Sequence, residues 1–200
     1  MLNIEKLKEE QNRLAKKVIL KDEFEGIEAI AGVEVIFLNR QLICSIALCD
    51  YKTMALKEEA YEVMQSDMPY ISGFRAYREG KAITDAYLKL RENPSVMMFA
   101  GNGILHPRRL GLASHMGILL DQPSIGVARQ LLCGELKGNK VYLEGKIAGE
   151  AVATREHANP IFVSPGHRIS LKTSVEIIKS CIRPPHKLPE PLHLAHKLGN

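Results

Sequence analysis

The sequence predicts an α/β fold in which a mixed central sheet is flanked by helices. Two short apolar runs, Val96-Met97-Met98-Phe99 and Pro123-Ser124-Ile125-Gly126-Val127-Ala128, alternate with helical patterns, as buried parallel strands do. Ahead of them, three strand-like stretches follow one another through short links, as in an antiparallel meander. The chain has 200 residues, 46% hydrophobic and 25% charged, which suits one globular domain over residues 1–200 with room for a full core.

Leu2 to Val18 sets Leu2, Ile4, Leu7, Leu14 and Val18 among Lys, Glu, Gln and Arg at roughly helical spacing, a surface helix. Ile27 to Leu38 and Gln41 to Cys49 read as strands joined by a tight turn at Asn39-Arg40. Met54 to Gln65 is ambiguous, because Ala55 to Ala60 are good helix formers. The residues alone leave it open, and only the family resemblance given below makes it the third strand of a meander. Lys81 to Arg91 is predicted helical, with Ile83, Tyr87, Leu88 and Leu90 as its apolar face and Asn93-Pro94 as its stop. A helix from Pro107 to Leu120 separates the two apolar strands. Lys140 to Leu143, Ala151 to Arg155 and Ile161 to Ser164 read as strands, and Leu171 to Ile182 as a helix capped by Ser170. The proline-rich tail from Arg183 is expected to wrap the surface. Three antiparallel strands followed by helix, strand, helix and strand is the order of a ribonuclease H-like core, where the first and fourth strands lie side by side. Acids on those two strands can face one metal site.

No apolar run approaches the roughly 20 residues that span a bilayer, and the amino terminus lacks a signal-peptide pattern. A cytoplasmic protein without a membrane partner is expected, and a monomer. Cys44, Cys49, Cys133 and Cys181 form no Cys-x-x-Cys pair, so they read as small core hydrophobes rather than a zinc or redox site. Net charge is +4 and uneven: residues 1–100 hold 14 basic and 16 acidic side chains, residues 101–200 hold 13 and 7. All seven histidines lie in the second half. That half suits a polyanionic partner, or is simply a solvated surface.

The segment from Phe99 through Gly101-Asn102-Gly103 to His106-Pro107-Arg108-Arg109 reads as a strand-loop-helix junction. Proline at a first helical position and the free N–H groups beside it would receive a phosphate. Glu34 interrupts Ile30 to Leu38, where both faces are apolar, so its carboxylate needs a partner: a metal, an internal cation or a wet cleft. Tyr70-Ile71-Ser72-Gly73-Phe74-Arg75-Ala76-Tyr77-Arg78 reads as a loop before Glu79. It is either a device for stacking on a displaced base or a partly buried connector. His106 either caps the following helix or contacts phosphate, and His115 is a packed or capping residue. Arg129, just past a buried strand, meets a phosphate in the crevice or forms a surface ion pair. The remaining histidines show no zinc spacing.

Taken in order, these segments resemble the endonuclease V family, nucleases that recognise inosine and nick the strand on its 3′ side. The similarity runs from about Gly32 to His196. It rests on Tyr70-Ile71-Ser72-Gly73 through Arg78-Glu79, Gly101-Asn102-Gly103 to Arg109, Gly111-Leu112-Ala113-Ser114-His115, 123–128, Ser164-Pro165-Gly166-His167, and Leu188-Pro189-Glu190-Pro191 with Ala195-His196. The resemblance implies Mg²⁺, or Mn²⁺, held by Glu34, Glu79 and His196, with Glu34, Glu79 and Arg129 at the chemistry. It implies DNA or RNA containing inosine on Tyr70, Ile71, Ser72, Gly73, Gly101, Gly103, His106 and Arg108.

The departures fall where the chemistry should be. The family's first-strand metal-binding Asp is Glu34 here, its fourth-strand Asp is Ala100, its active-site Lys is Arg129 and its wedge proline is Ser72. Magnesium demands near-octahedral oxygen ligands, Ala100 offers no side-chain ligand, and Arg129 stays protonated. Two main expectations follow: a DNA-repair nuclease with weak or lost activity, or a non-cutting inosine or nucleic-acid binding protein with a degenerate metal site. An interaction protein reusing the groove for another ligand is a third. If only the metal centre is damaged, Ala100→Asp with Glu34→Asp and Arg129→Lys should raise cleavage.

Overall fold

Strands β1 (Ala29–Leu38), β2 (Gln41–Asp50) and β3 (Leu56–Gln65) form the expected antiparallel meander in a computed structural model that describes residues 3–66 and 68–199. Asn39 and Arg40 both take positive φ, 50° and 67°, as a two-residue primed hairpin turn requires. The ambiguous stretch resolves as strand from Leu56 onward. Pairing with β2 overrides its helix propensity, and its Lys57, Glu58 and Glu59 keep the sheet's edge charged.

Helix α1 (Ile4–Ala15) starts on Asn3, whose side chain accepts from Lys6 N at 3.0 Å. It is shorter than expected, and Leu2 lies outside the described residues. Helix α2 (Arg75–Tyr87) begins six residues earlier than the apolar spacing suggested, so Arg75, Arg78 and Glu79 are helical rather than part of a loop. Strands β4 (Val96–Ala100) and β5 (Ser124–Ala128) run parallel to β1 and to each other, joined through α3 (Leu112–Leu120).

Helix α3 does not start at Pro107. Arg109 N closes a turn onto His106 O, Arg109 takes φ 52°, and Gly111 N returns to Gly103 O, so the N-cap is Gly111. The expected proline-led helix end at 107 is therefore absent, and His106 caps nothing.

The sheet continues through β6 (Glu135–Lys137), β7 (Lys140–Leu143), β8 (Lys146–Val152) and β9 (Ile161–His167) in the order β3-β2-β1-β4-β5-β9-β8-β7-β6. The strand expected at 151–155 lies earlier, because Lys146 pairs with Leu143 across a tight turn, and β6 was not foreseen. Helix α4 (Leu171–Ser180) uses Ser170 as its cap, with Thr173 N donating to Oγ at 3.2 Å. The tail does not merely wrap the surface: it forms α5 (Glu190–Leu198), which buries Leu192 and Ala195.

Alternation across the sheet separates two cores. Ile30, Met98, Ile125 and Val163 face Val175, Ile178 and Leu192, while Ala31, Val33, Met97 and Phe99 face Ile83 and Met116. A Cβ on Gly32 would stand 2.2 Å from the Pro191 carbonyl, so only glycine lets α5 lie this close to β1. Ser45 Oγ donates to Ala195 O at 2.6 Å and pins the same helix. This is a ribonuclease H-like fold. Cys44, Cys49 and Cys181 are buried and unbridged, as small hydrophobes would be, and Cys133 is half-buried. No helix among the described residues is long and apolar enough to cross a membrane.

Candidate functional site

A cleft of about 440 Å³ opens where β1, β4 and β5 end, the place where open α/β sheets take ligands. Glu34 lies one residue beyond the last β1–β4 pair, Val33 with Phe99, and so sits level with Ala100 at the strand ends. Arg129 follows β5 directly. The opposite wall comes from the segment before α2 and from the 101–112 loop.

Arg75 dominates the floor. Its Nε donates to Glu79 Oε1 at 2.9 Å and its Nη2 to Glu79 Oε2 at 2.8 Å, a bidentate fork across one helical turn. Its Nη1 donates to the Ala100 carbonyl at 2.8 Å. A Cβ at Gly101 would stand 3.1 Å from Nη1, so the guanidinium lies close against bare backbone. Glu79 is 3% exposed and reaches the cleft only through Arg75, whose side chain is 28% exposed.

Glu34 is the other acid. Burial pushes its carboxyl above the usual carboxylate range and Glu79 adds to the rise, while Arg129, His196 and Arg75 pull it down. Arg129 Nη2 stands 3.9 Å from Glu34 Oε2, too far for a hydrogen bond, and that oxygen is buried without a hydrogen-bond partner among the described residues.

The segment before α2 is tied down at a single carbonyl. Gly73 O accepts from Gln11 Nε2 at 2.9 Å, His106 Nε2 at 3.1 Å and Arg108 Nη2 at 3.1 Å. Gly73 takes φ 80°, and a Cβ there would meet Arg108 Nη2 at 2.9 Å, so the position needs glycine. Arg108 also donates to Gln11 Oε1 and lies 4.5 Å over the Phe74 ring. Burial, helped by the Arg108 charge, lowers the His106 pKa to about 4. His106 is therefore neutral at pH 7. Its Nε2–H faces Gly73 O, and its Nδ1 accepts from Arg108 N at 3.2 Å.

The structure thus places Glu34, Tyr70, Ser72, Gly73, Gly101, His106 and Arg129 on one cleft. It does not place Ile71, Gly103 or Arg108 on its lining. Gly103 packs against β9, where a Cβ would stand 2.1 Å from Pro165 O, and Arg108 braces the loop from behind. Tyr70 stands at the mouth, 62% exposed. The sequence sets Arg75 among loop arginines suited to stacking on bases rather than beside Glu79, and it marks no role for Gln11. A cation four residues before a buried Glu on a helix was the available signal for Arg75. Nothing local marks Gln11, whose partners lie 62 and 97 residues away.

The residues present do not fit a divalent ion. Among the described residues no group of three or more His, Cys, Asp and Glu side chains is arranged as metal ligands. Both Glu79 oxygens and the Ala100 carbonyl accept hydrogen bonds from Arg75, which holds a guanidinium against them, and Glu34 is the cleft-lining carboxylate outside that fork. A guanidinium fixed against Glu79 adds like-charge repulsion to any divalent ion that enters beside it.

A family model described as Endonuclease V matches residues 12–197. Endonuclease V of Dictyoglomus turgidum is 42% identical over 195 residues, covering 93% of this chain and 85% of that protein. The crystal structure of the Bacillus subtilis endonuclease V superposes with a TM-score of 0.91 at 30% identity, covering 100% of this chain and 91% of that one. The Ciona intestinalis endonuclease V, solved in complex with a 24mer DNA containing an inosine followed by a ribo-adenosine, gives 0.88 at 26% identity, covering 98% and 95%. With the sheet order, the cleft and these matches in agreement, the chain belongs to the endonuclease V family.

Proposed function

We propose that this protein recognises inosine in a DNA or RNA strand and that its cutting of the backbone 3′ to the lesion is severely weakened. The observation that carries this reading is the Arg75 fork: the cleft and its mouth are intact, while a guanidinium holds Glu79 and Ala100. Members of the family generally depend on a metal ion. This chain's own residues support binding better than that chemistry.

Binding follows from the lining. Tyr70 stands exposed at the mouth, where an aromatic ring can fill the gap left by an extruded base. Ser72, Gly73 and Gly101 bring backbone to the cleft wall, and the cleft volume falls in the range of small-molecule pockets. Arg129, half-exposed on the rim, meets a phosphate. Glu34 is the carboxylate that lines the cleft and can accept from a water there, so any residual hydrolysis depends on it. The working unit in this reading is a monomer in the cytoplasm.

The test is a gel assay of single-stranded and duplex DNA and RNA carrying one inosine, with Mg²⁺, Mn²⁺ or EDTA, scored for retention and for nicks. Inosine-selective retention with little nicking is expected. Absence of selective retention overturns the reading, and strong metal-dependent nicking would make the chain a full nuclease.

A further inference from the structure

We propose that Arg75 is the resident cation of this site: it takes over the counter-charge role of a divalent ion and, with Arg129, forms a metal-free phosphodiester-binding site. The inference rests on the nucleic-acid reading above for its ligand, but its claim about the cation stands on the geometry alone.

The two carboxylates, Glu34 on β1 and Glu79 on α2, are already matched in charge. Glu79 is neutralised by Arg75 in a two-bond fork, and Glu34 has Arg129 Nη2 at 3.9 Å, with Arg75 adding to the positive field around it. Arg75 has five N–H groups and spends three, two on Glu79 and one on the Ala100 carbonyl. Two remain without a protein acceptor among the described residues, on a guanidinium that lines the cleft. A planar fork of that kind is suited to phosphate oxygens.

The surroundings are built for this arrangement. Ala100 adds no carboxylate beside Glu34 at the strand ends, and Gly101 leaves room for Nη1 where a Cβ would stand 3.1 Å away. Glu79, buried to 3% exposure, holds the guanidinium from below, so the charge is positioned rather than floating. The ligand class is a phosphodiester of a nucleic-acid strand. The site takes it without a divalent ion.

Two measurements test this on the full chain. The first is electron paramagnetic resonance of Mn²⁺ titrated into the protein alone, which reads metal uptake without any substrate. The wild type should take up no stoichiometric Mn²⁺ at micromolar concentrations. Stoichiometric uptake overturns the proposal. The second is fluorescence anisotropy with a single-stranded inosine oligonucleotide, in EDTA and in Mg²⁺. Equal Kd in the two buffers is expected, with a loss of about tenfold in Arg75→Met.

Since that variant leaves Glu79 unpaired, Arg75→Met with Glu79→Gln removes both charges together and should show the same loss. A Kd that requires Mg²⁺, or one unchanged in both variants, overturns the proposal. If the wild type binds no oligonucleotide under any condition, the nucleic-acid reading fails, and the Mn²⁺ titration still decides whether Arg75 excludes a metal.

Discussion

Arg75 and Glu79 are joined by two parallel hydrogen bonds, 2.9 Å and 2.8 Å, across a single turn of α2. The acid is buried and the cation half-buried, so removing one partner strands the other in a low-dielectric wall. Glu79→Ala should lower stability by about 2–4 kcal/mol, read as a shift in urea midpoint. The Arg75→Met/Glu79→Gln double variant should recover a large part of that loss. A double variant as unstable as Glu79→Ala would show that packing, not the stranded charge, sets the cost.

The Gly73 carbonyl holds the cleft's mouth to α1. Gln11→Ala deletes its bond to Gly73 O and leaves Arg108 Nε without its Oε1 acceptor. A loss of about 1 kcal/mol in stability is expected. Amide exchange at residues 70–74 should quicken by more than exchange in β4, because the effect is local. Uniform quickening would place Gln11 in the general core instead.

His106 gives the fold an acid limit. Its pKa is about 4 when folded and 6.5 ordinarily, because burial and the Arg108 charge oppose the second proton. The unfolded chain therefore binds that proton first. Stability is unaffected by His106 above the ordinary value and falls as pH drops from there towards 4, by a total of about 3 kcal/mol. His106→Gln, which cannot titrate, should flatten the urea-midpoint profile over that interval. An unchanged profile would show that His106 protonates freely.

Glu34 has the opposite sign. Burial holds its carboxyl above the usual range, against Arg129, His196 and Arg75. Its contribution is fully present below the ordinary carboxylate pKa and is lost as pH rises through the raised one. Glu34→Gln should match the wild type in acid, exceed it in stability at neutral pH, and abolish residual nicking. A variant that is less stable at neutral pH would mean that the Arg129 charge outweighs burial.

Strand-like residue types and the two apolar runs made β1 to β5 legible, because those strands bury side chains against helices; β6, exposed along its length, left no such mark. Helix starts were less so. Arg75 to Arg78 are polar or small and carry no apolar repeat, so α2 looked shorter than it is. Pro107 looked like a helix start because proline favours that position, yet Arg109 at positive φ ends the turn. The motifs located the cleft, since Glu34, Gly73, Gly101 and Arg129 do meet there. What holds Glu79 was illegible: a fork depends on side-chain direction, and spacing alone shows only that Arg75 and Glu79 share a face.

That fork also changes what repair of the active site requires. Ala100→Asp adds a carboxylate to the strand ends beside Glu34, where Arg75 and Arg129 already supply positive charge. The new acid pairs first with those cations, so Ala100→Asp with Glu34→Asp and Arg129→Lys should gain little metal-dependent nicking of an inosine oligonucleotide. Adding Arg75→Leu frees both Glu79 oxygens and the carbonyl at position 100, and removes the cation that repels a divalent ion. The four-substitution variant should nick at least about tenfold faster than the three-substitution one, a barrier difference of about 1.4 kcal/mol. Equal rates in the two would mean that Arg75 swings aside for the metal, and that Ala100, Glu34 and Arg129 account for the weakened site without it.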